Sequence, residues 1–150
     1  MNPTPDRILL VEDNPYDAAL IQRAIAKARI LNPVEVVDDG EKAIAYLTGQ
    51  PPYDDREKCP LPVVTLLDLK LPKRSGFEVL EAVRSVPMVK RLPIVVLTSS
   101  GQTADVNRAY DLGANSYLVK PVGTDALVDL LKTIETYWMF SNKRPVVSED

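Results

Sequence analysis

Glu12-Asp13, Asp68, Thr98 and Lys120 share one feature of placement. Each comes directly after an apolar or β-branched run: Ile8-Leu9-Leu10-Val11, Val63-Val64-Thr65-Leu66-Leu67, Ile94-Val95-Val96-Leu97 and Ser116-Tyr117-Leu118-Val119. Three carboxylates brought into one crevice repel, and one of them takes up a proton unless a cation compensates. Oxygen donors of this kind suit a hard divalent ion, above all Mg²⁺, which binds through one or two carboxylates together with waters and phosphate oxygens. A lysine opposite adds a fixed positive charge, and a threonine hydroxyl can bond a phosphoryl oxygen. The set matches phosphoryl transfer onto a carboxylate, with a nucleophilic Asp, a charge-neutralising metal and a lysine clamp. Taken singly, each residue also reads as a helix cap, a turn former or a surface lysine. Their coincidence at the ends of apolar runs is what carries the chemistry.

That coincidence requires elements that end at one rim. Continuous apolar runs bounded by turn signals read as strands buried on both faces, as in the middle of a parallel sheet. After the first run, Asn14 or Asp13 caps a helix with Pro15 at its first position, and Leu20, Ile21, Ala24, Ile25 and Ala28 form its apolar stripe up to a stop at Asn32-Pro33. Val34 to Val37 reads as a short strand, Asp38-Asp39-Gly40 as a turn, and 41–48 as a helix with Ala43, Ile44 and Leu47 inward. Residues 49–62, rich in proline and charge, are long for a connection and read as a functional loop or an insertion. A third helix carries Gly76, Val79, Leu80 and Val83 and stops at Val86-Pro87. A fourth carries Val106, Ala109 and Tyr110 before a left-handed stop at Gly113, and a last one runs from about Asp125 to Phe140. Five strand–helix repeats predict an α/β, flavodoxin-like doubly wound (βα)5 fold with a five-stranded parallel sheet in the order 2-1-3-4-5. The domain is expected to span 1–141, with 142–150 as a polar, flexible tail.

Bulk composition narrows the function further. At 150 residues and 45% apolar content the chain builds one core without staples. No apolar run approaches a membrane span, and no signal peptide is expected from Met1 to Arg7. One cysteine, Cys59, excludes an internal disulfide and suits a reducing cytoplasm. With 21 acids against 18 Lys plus Arg, nothing marks nucleic acid as a partner. The absence of histidine excludes Ser-His-Asp and Cys-His nucleophiles and the usual zinc sites, and it means the chain cannot be its own phosphohistidine donor.

Val11-Glu12-Asp13-Asn14, Asp68-Leu69-Lys70-Leu71-Pro72 with Gly76, Thr98-Ser99 and Lys120-Pro121 resemble the motifs of bacterial two-component response-regulator receiver domains over almost the whole chain. The resemblance implies Mg²⁺ held by Asp13, Asp68 and the backbone carbonyl of Lys70, with Glu12 acting through water. It implies Asp68 as the phosphoacceptor, Lys120 as its ion-pair partner, Thr98 as the switch hydroxyl, Tyr117 as the aromatic switch and a cis peptide at Lys120-Pro121. The expected partner is a sensor histidine kinase or a phosphotransfer protein, and the expected chemistry is phosphoacceptance with at most slow self-dephosphorylation, not turnover of an external substrate. Nothing but a short tail follows the last helix, so a stand-alone receiver is expected. The proline-bearing loop and the long aromatic-ended last helix are similar to regulators partnered with phytochrome kinases. Lys70 and Ser100 fall at positions that flank the phosphoryl group in this family, and a cation at Lys70 departs from the usual amide or apolar residue.

Other classes fit less well. A haloacid-dehalogenase-type phosphatase needs a second acid two residues after its nucleophile, where this chain has Lys70. A flavin module needs a hydroxyl- and glycine-rich phosphate loop after the first strand, where Glu12-Asp13-Asn14 would repel a phosphate. A non-phosphorylated scaffold acting by dimerisation is the remaining alternative. In the last helix Leu127, Leu130, Leu131, Ile134 and Trp138 share the sheet-facing stripe, which leaves Tyr137, Met139 and Phe140 exposed unless the 49–62 loop or the tail covers them. A homodimer interface is therefore assigned to Tyr137, Trp138, Met139 and Phe140.

Overall fold

The three central apolar runs become strands with no residue left facing solvent. The structure, a computed structural model, describes residues 6–147. In it β1 (Ile8–Val11), β3 (Val64–Leu67) and β4 (Ile94–Thr98) are buried throughout, while β2 (Val34–Val37) and β5 (Ser116–Val119) are half-exposed edges. All neighbouring strands run parallel in the order β2-β1-β3-β4-β5, as expected for a flavodoxin-like sheet. Alternation along the strands feeds two cores. Ile8, Leu10, Val64, Leu66, Val95 and Leu97 face α1 (Pro15–Lys27) and α5 (Thr124–Ile134). Leu9, Val11, Leu67, Ile94 and Val96 face α2 (Gly40–Thr48), α3 (Gly76–Arg84) and α4 (Thr103–Asp111). Two-sided burial is why these strands carry no polar alternation. Among the described residues no helix is long and apolar enough to cross a membrane.

The caps fall where short polar side chains precede apolar stripes. Asn14 Oδ1 accepts from the N–H groups of Tyr16 and Asp17 with Pro15 at the first helical position, Asp39 caps α2 through Lys42 N–H at 2.7 Å, and Ser75 with Glu78 closes a capping box on α3. Asp38-Asp39-Gly40 is thus a helix start and not only a turn.

Several local expectations are corrected. Helix α1 ends at Lys27, before Asn32-Pro33, because Arg29 turns left-handed at φ 60°. Tyr110 lies half-exposed on α4, and only Ala109 of that expected stripe is fully buried. Tyr46, outside the predicted stripe of α2, is fully buried with its hydroxyl donating to the Pro60 carbonyl. The 49–62 loop serves as a cap on α2: Arg56 donates to the carbonyls of Tyr46, Leu47 and Cys59 and so satisfies groups that the helix end leaves open. Through Tyr53, Cys59 and Leu61 this loop packs on the layer opposite α5, so it does not cover the aromatic end. Residues 142–147, expected as a loose tail, lie against the domain: Arg144 pairs with Asp6 at 2.8 Å and Val147 packs on the second core. The expectations for Met1–Pro5 and for Ser148–Asp150 lie outside the described residues.

The end of the last helix departs most. After Ile134 the chain continues as a π-helix over Glu135–Ser141. Its i→i+5 spacing carries Met139, five residues after Ile134, onto the same buried face, and Met139 is 8% exposed within the first core. Met139 therefore does not belong to an exposed patch, and Trp138 is half-buried against the core, whereas Tyr137 and Phe140 remain 51% and 76% exposed. Met139→Ala should lower unfolding stability by about 2–5 kcal/mol, the range for truncating a core methionine. Phe140→Ala should stay within about 0.5 kcal/mol, as surface changes do. Urea unfolding of both variants checks this; equal losses would place Met139 off the core.

Candidate functional site

The carboxyl ends of β1, β3, β4 and β5 bring the predicted residues together. Glu12 and Asp13 follow β1, Asp68 follows β3, Thr98 ends β4 and Lys120 follows β5. One carboxylate oxygen from each of Glu12, Asp13 and Asp68 lies within 4.8 Å of the others. Glu12 is 2% exposed and Asp68 9%, while Asp13 faces solvent. Lys120 is the counter-charge: its ammonium bonds Glu12 Oε1, reaches Asp68 Oδ2 at 3.2 Å and lies 3.8 Å from Asp17. Glu12 Oε2 accepts from Asn14 N–H at 3.2 Å and Asp68 Oδ1 from Leu69 N–H at 2.7 Å.

These bonds fix the carboxylates without neutralising them. Three acids against one lysine leave a formal deficit of two positive charges, which is the donor chemistry a hard divalent cation would complete. At Glu12 burial and that deficit act in the same direction. Burial pushes its carboxyl above the ordinary value and the Asp68 charge pushes in the same direction, while the Lys120 bond and charge pull only part of the way back. For Lys120 burial opposes the charged form, but the bond to Glu12 and the charges of Asp68 and Glu12 outweigh it and hold the ammonium above its ordinary value.

The remaining predicted residues border the same rim. Thr98 is buried and lines, with Leu69, Lys70, Phe77 and Ser100, a cleft of about 400 Å³ beside Asp68. Lys70 is exposed at its edge. Tyr117 is half-buried, its hydroxyl donating to the Ser100 carbonyl at 2.7 Å, and burial pushes its phenol up. The peptide before Pro121 is trans; among the described residues the cis bond is Pro51–Pro52, so the expected cis proline beside Lys120 is absent. Tyr137, Trp138, Met139 and Phe140 lie at the far end of the last helix, away from this rim.

Two supports were not read in full from the sequence. Gly76 has to be glycine, because a Cβ there would lie 2.3 Å from the Asp68 carbonyl oxygen. Its place at the start of a helix was legible, but not the close approach. Asp105, in the first turn of α4, takes the Ser100 hydroxyl at 2.6 Å, and nothing in its sequence context points to that.

The topology and the acidic rim define a flavodoxin-like α/β domain with a cation-type centre at its topological switch point. The chain belongs to the response regulator receiver domain family, whose model matches residues 8–132. It is 40% identical to the response regulator Rcp1 of Synechocystis sp. over 90% of each chain, and it aligns with the Mn²⁺-bound form of Rcp1 at a TM-score of 0.82 over 94% of this chain and 99% of that one. It matches the phosphorylated cyanobacterial phytochrome response regulator RcpA at 39% identity and TM-score 0.85, covering 94% of this chain and 99% of the other. A response regulator in red light signaling of R. palustris is 31% identical with a TM-score of 0.88, over 93% and 98%. The protein is a response regulator receiver, a signalling domain.

The raised Glu12 group has a consequence for stability. Between the ordinary glutamate value of 4.5 and its higher folded value, the folded state holds more protons than the unfolded one. Stability contributed here therefore falls as pH rises through that window. Glu12→Gln removes the titration, so in EDTA its stability relative to wild type should improve from pH 4 upward. Urea midpoints across pH 4–8 measure the difference; a constant difference contradicts the assignment.

Proposed function

We propose that this receiver takes a phosphoryl group from the phosphohistidine of a sensor kinase, or of a phosphotransfer protein, onto Asp68. The observation that carries the reading is the Asp68 carboxylate, nearly buried, pinned at Oδ1 by Leu69 N–H, facing Lys120 through Oδ2 and grouped with two further acids. The carboxylate attacks phosphorus, the phosphorus–nitrogen bond to the donor histidine breaks, and an acyl phosphate remains on Asp68. Asp13, Asp68 and the Lys70 carbonyl would hold Mg²⁺, with Glu12 through water. When bound, the cation offsets charge on the phosphoryl oxygens. Lys120 then pairs with one of those oxygens, and the Thr98 hydroxyl turns to another. The space Thr98 vacates admits the Tyr117 ring, once its bond to Ser100 is released, and this alters the surface of α4, β5 and α5. The chemistry ends at phosphoacceptance and slow self-hydrolysis, in the cytoplasm, without turnover of an external substrate.

Likeness to RcpA and to the R. palustris red-light regulator supports a phytochrome-type kinase as the donor. Exposed Tyr137 and Phe140, beside half-buried Trp138, support a homodimer around the end of the last helix. Sedimentation of Tyr137→Asp/Phe140→Asp at micromolar concentration should show a monomer where wild type is a dimer; wild type sedimenting as a monomer with and without phosphodonor removes this reading.

Incubation with a small phosphodonor and Mg²⁺ should add one phosphoryl group, labile to hydroxylamine, and Asp68→Asn should take none. Labelling of Asp68→Asn at the wild-type rate overturns the site. Thr98→Ala should still be labelled at Asp68 while losing the change in partner binding; an unchanged response to phosphorylation separates Thr98 from the switch.

A further inference from the structure

Ser100 is held from three sides. Its hydroxyl donates to Asp105 Oδ2 at 2.6 Å and accepts from Gln102 N–H at 3.3 Å, while its carbonyl accepts from the Tyr117 hydroxyl at 2.7 Å. The Asp105 bond is the short, charge-assisted one. Ser100 and Asp105 both line the cleft that contains Thr98, Lys70 and Leu69, the residue that follows Asp68. A serine hydroxyl has one proton to give. While it serves Asp105, it cannot serve an anion held at Asp68.

We propose that Asp105 is a positioning residue that competes with the phosphoryl group on Asp68 for the Ser100 hydroxyl, and so acts as a built-in brake on the phosphorylated state. The proposal rests on Asp68 being the phosphoacceptor. In the unmodified protein the hydroxyl is drawn toward α4. A phosphoryl group brings competing acceptor oxygens to the same cleft. Recruiting Ser100 then leaves the Asp105 carboxylate without its donor, and that cost is subtracted from recognition of the phosphoryl group. Because Ser100 also bears the Tyr117 bond on its carbonyl, the transfer of one proton donor loosens the β4–α4 loop and its contact with β5 together. Asp105 also suits the first turn of α4 as a negative charge at a helix start, which is a purely structural role. The two roles differ in one respect: the brake acts only through the Ser100 hydroxyl.

Calorimetric titration with beryllium fluoride and Mg²⁺, a mimic of the phosphoryl group, tests the competition in the full chain. Asp105→Ala should bind the mimic roughly tenfold more tightly than wild type, the scale of one charge-assisted hydrogen bond. Asp105→Asn, which keeps an acceptor without the charge, should give a smaller gain and stands in if the alanine variant does not fold. In a Ser100→Ala background the same Asp105 changes should give less than about a threefold gain. An equal gain with and without the Ser100 hydroxyl, or no gain in either Asp105 variant, overturns the brake while leaving Asp68 phosphorylation intact. If wild type binds no mimic and takes no phosphoryl label, the phosphoacceptor reading itself fails, and the brake falls with it.

Discussion

A single ammonium at the carboxyl edge of the sheet holds together carboxylates that would otherwise repel. Glu12 and Asp68 are both nearly out of solvent, and Lys120 bonds the first and reaches the second. Breaking such an arrangement from one side leaves an uncompensated buried charge. Yet one lysine among three carboxylates is not enough: burial first, and the Asp68 charge with it, keep the Glu12 group raised against the pull of Lys120. The rim therefore tolerates negative charge only as far as a cation supplements Lys120. A divalent ion and a phosphoryl group would each alter the balance that Lys120 leaves unfinished.

At the amino-terminal edge of the sheet, opposite that rim, polar groups serve as pins. Arg84 at the end of α3 donates to the carbonyls of Lys90, Leu92 and Gly113 and to the side chain of Asn115, so it ties the α3–β4 connection to the α4–β5 turn. Asn115 in turn accepts from Ile94 N–H and closes the start of β4. Gly113, at φ 103°, leaves room for the Arg84 side chain, which a Cβ there would meet at 2.8 Å. Arg56 does comparable work for α2. Both guanidinium groups are spent on carbonyls, and burial opposes the charge of each.

Much of this was legible because burial on two faces and a polar residue at the carboxyl end leave a simple trace in sequence. The runs before Glu12, Asp68, Thr98 and Lys120 gave the strands, and the parallel order followed from alternation with helices. Asn14 and Gly113 marked two helix boundaries, whereas the caps Asp39 and Ser75 were not read as such. What stayed hidden depends on distances between segments far apart in the chain. Tyr46 is buried because the 49–62 loop folds onto it, Arg84 points at carbonyls 6 to 29 residues away, and Asp105 meets Ser100 across a loop. Met139 was misplaced for another reason: helical spacing of 3.6 was applied to residues that adopt the wider π turn.

The two loops around Asp68 differ in stiffness, and that difference selects the direction in which a change at the site can travel. The loop after β3 is enclosed by backbone. Arg74 N–H bonds the Pro72 carbonyl at 2.8 Å in a γ-turn around Lys73, whose φ is 67°. Gly40 N–H bonds that same carbonyl, and a Cβ on Gly40 would lie 1.8 Å from the Arg74 carbonyl oxygen. Gly76 closes the other end against Asp68 itself. Moving this loop means moving the start of α2 or forcing main chains into one another. The loop after β4 has no such enclosure. Its side-chain links to α4 and β5 include the Ser100–Asp105 and Tyr117–Ser100 bonds, and α4 begins after Gln102 without a side-chain cap. Hydrogen bonds of this kind contribute about 0.5–3 kcal/mol each, well within what a new charge at Asp68 can redistribute. The α4 and β5 side is therefore the one a change at the site would move more readily, with the α2 side more firmly enclosed.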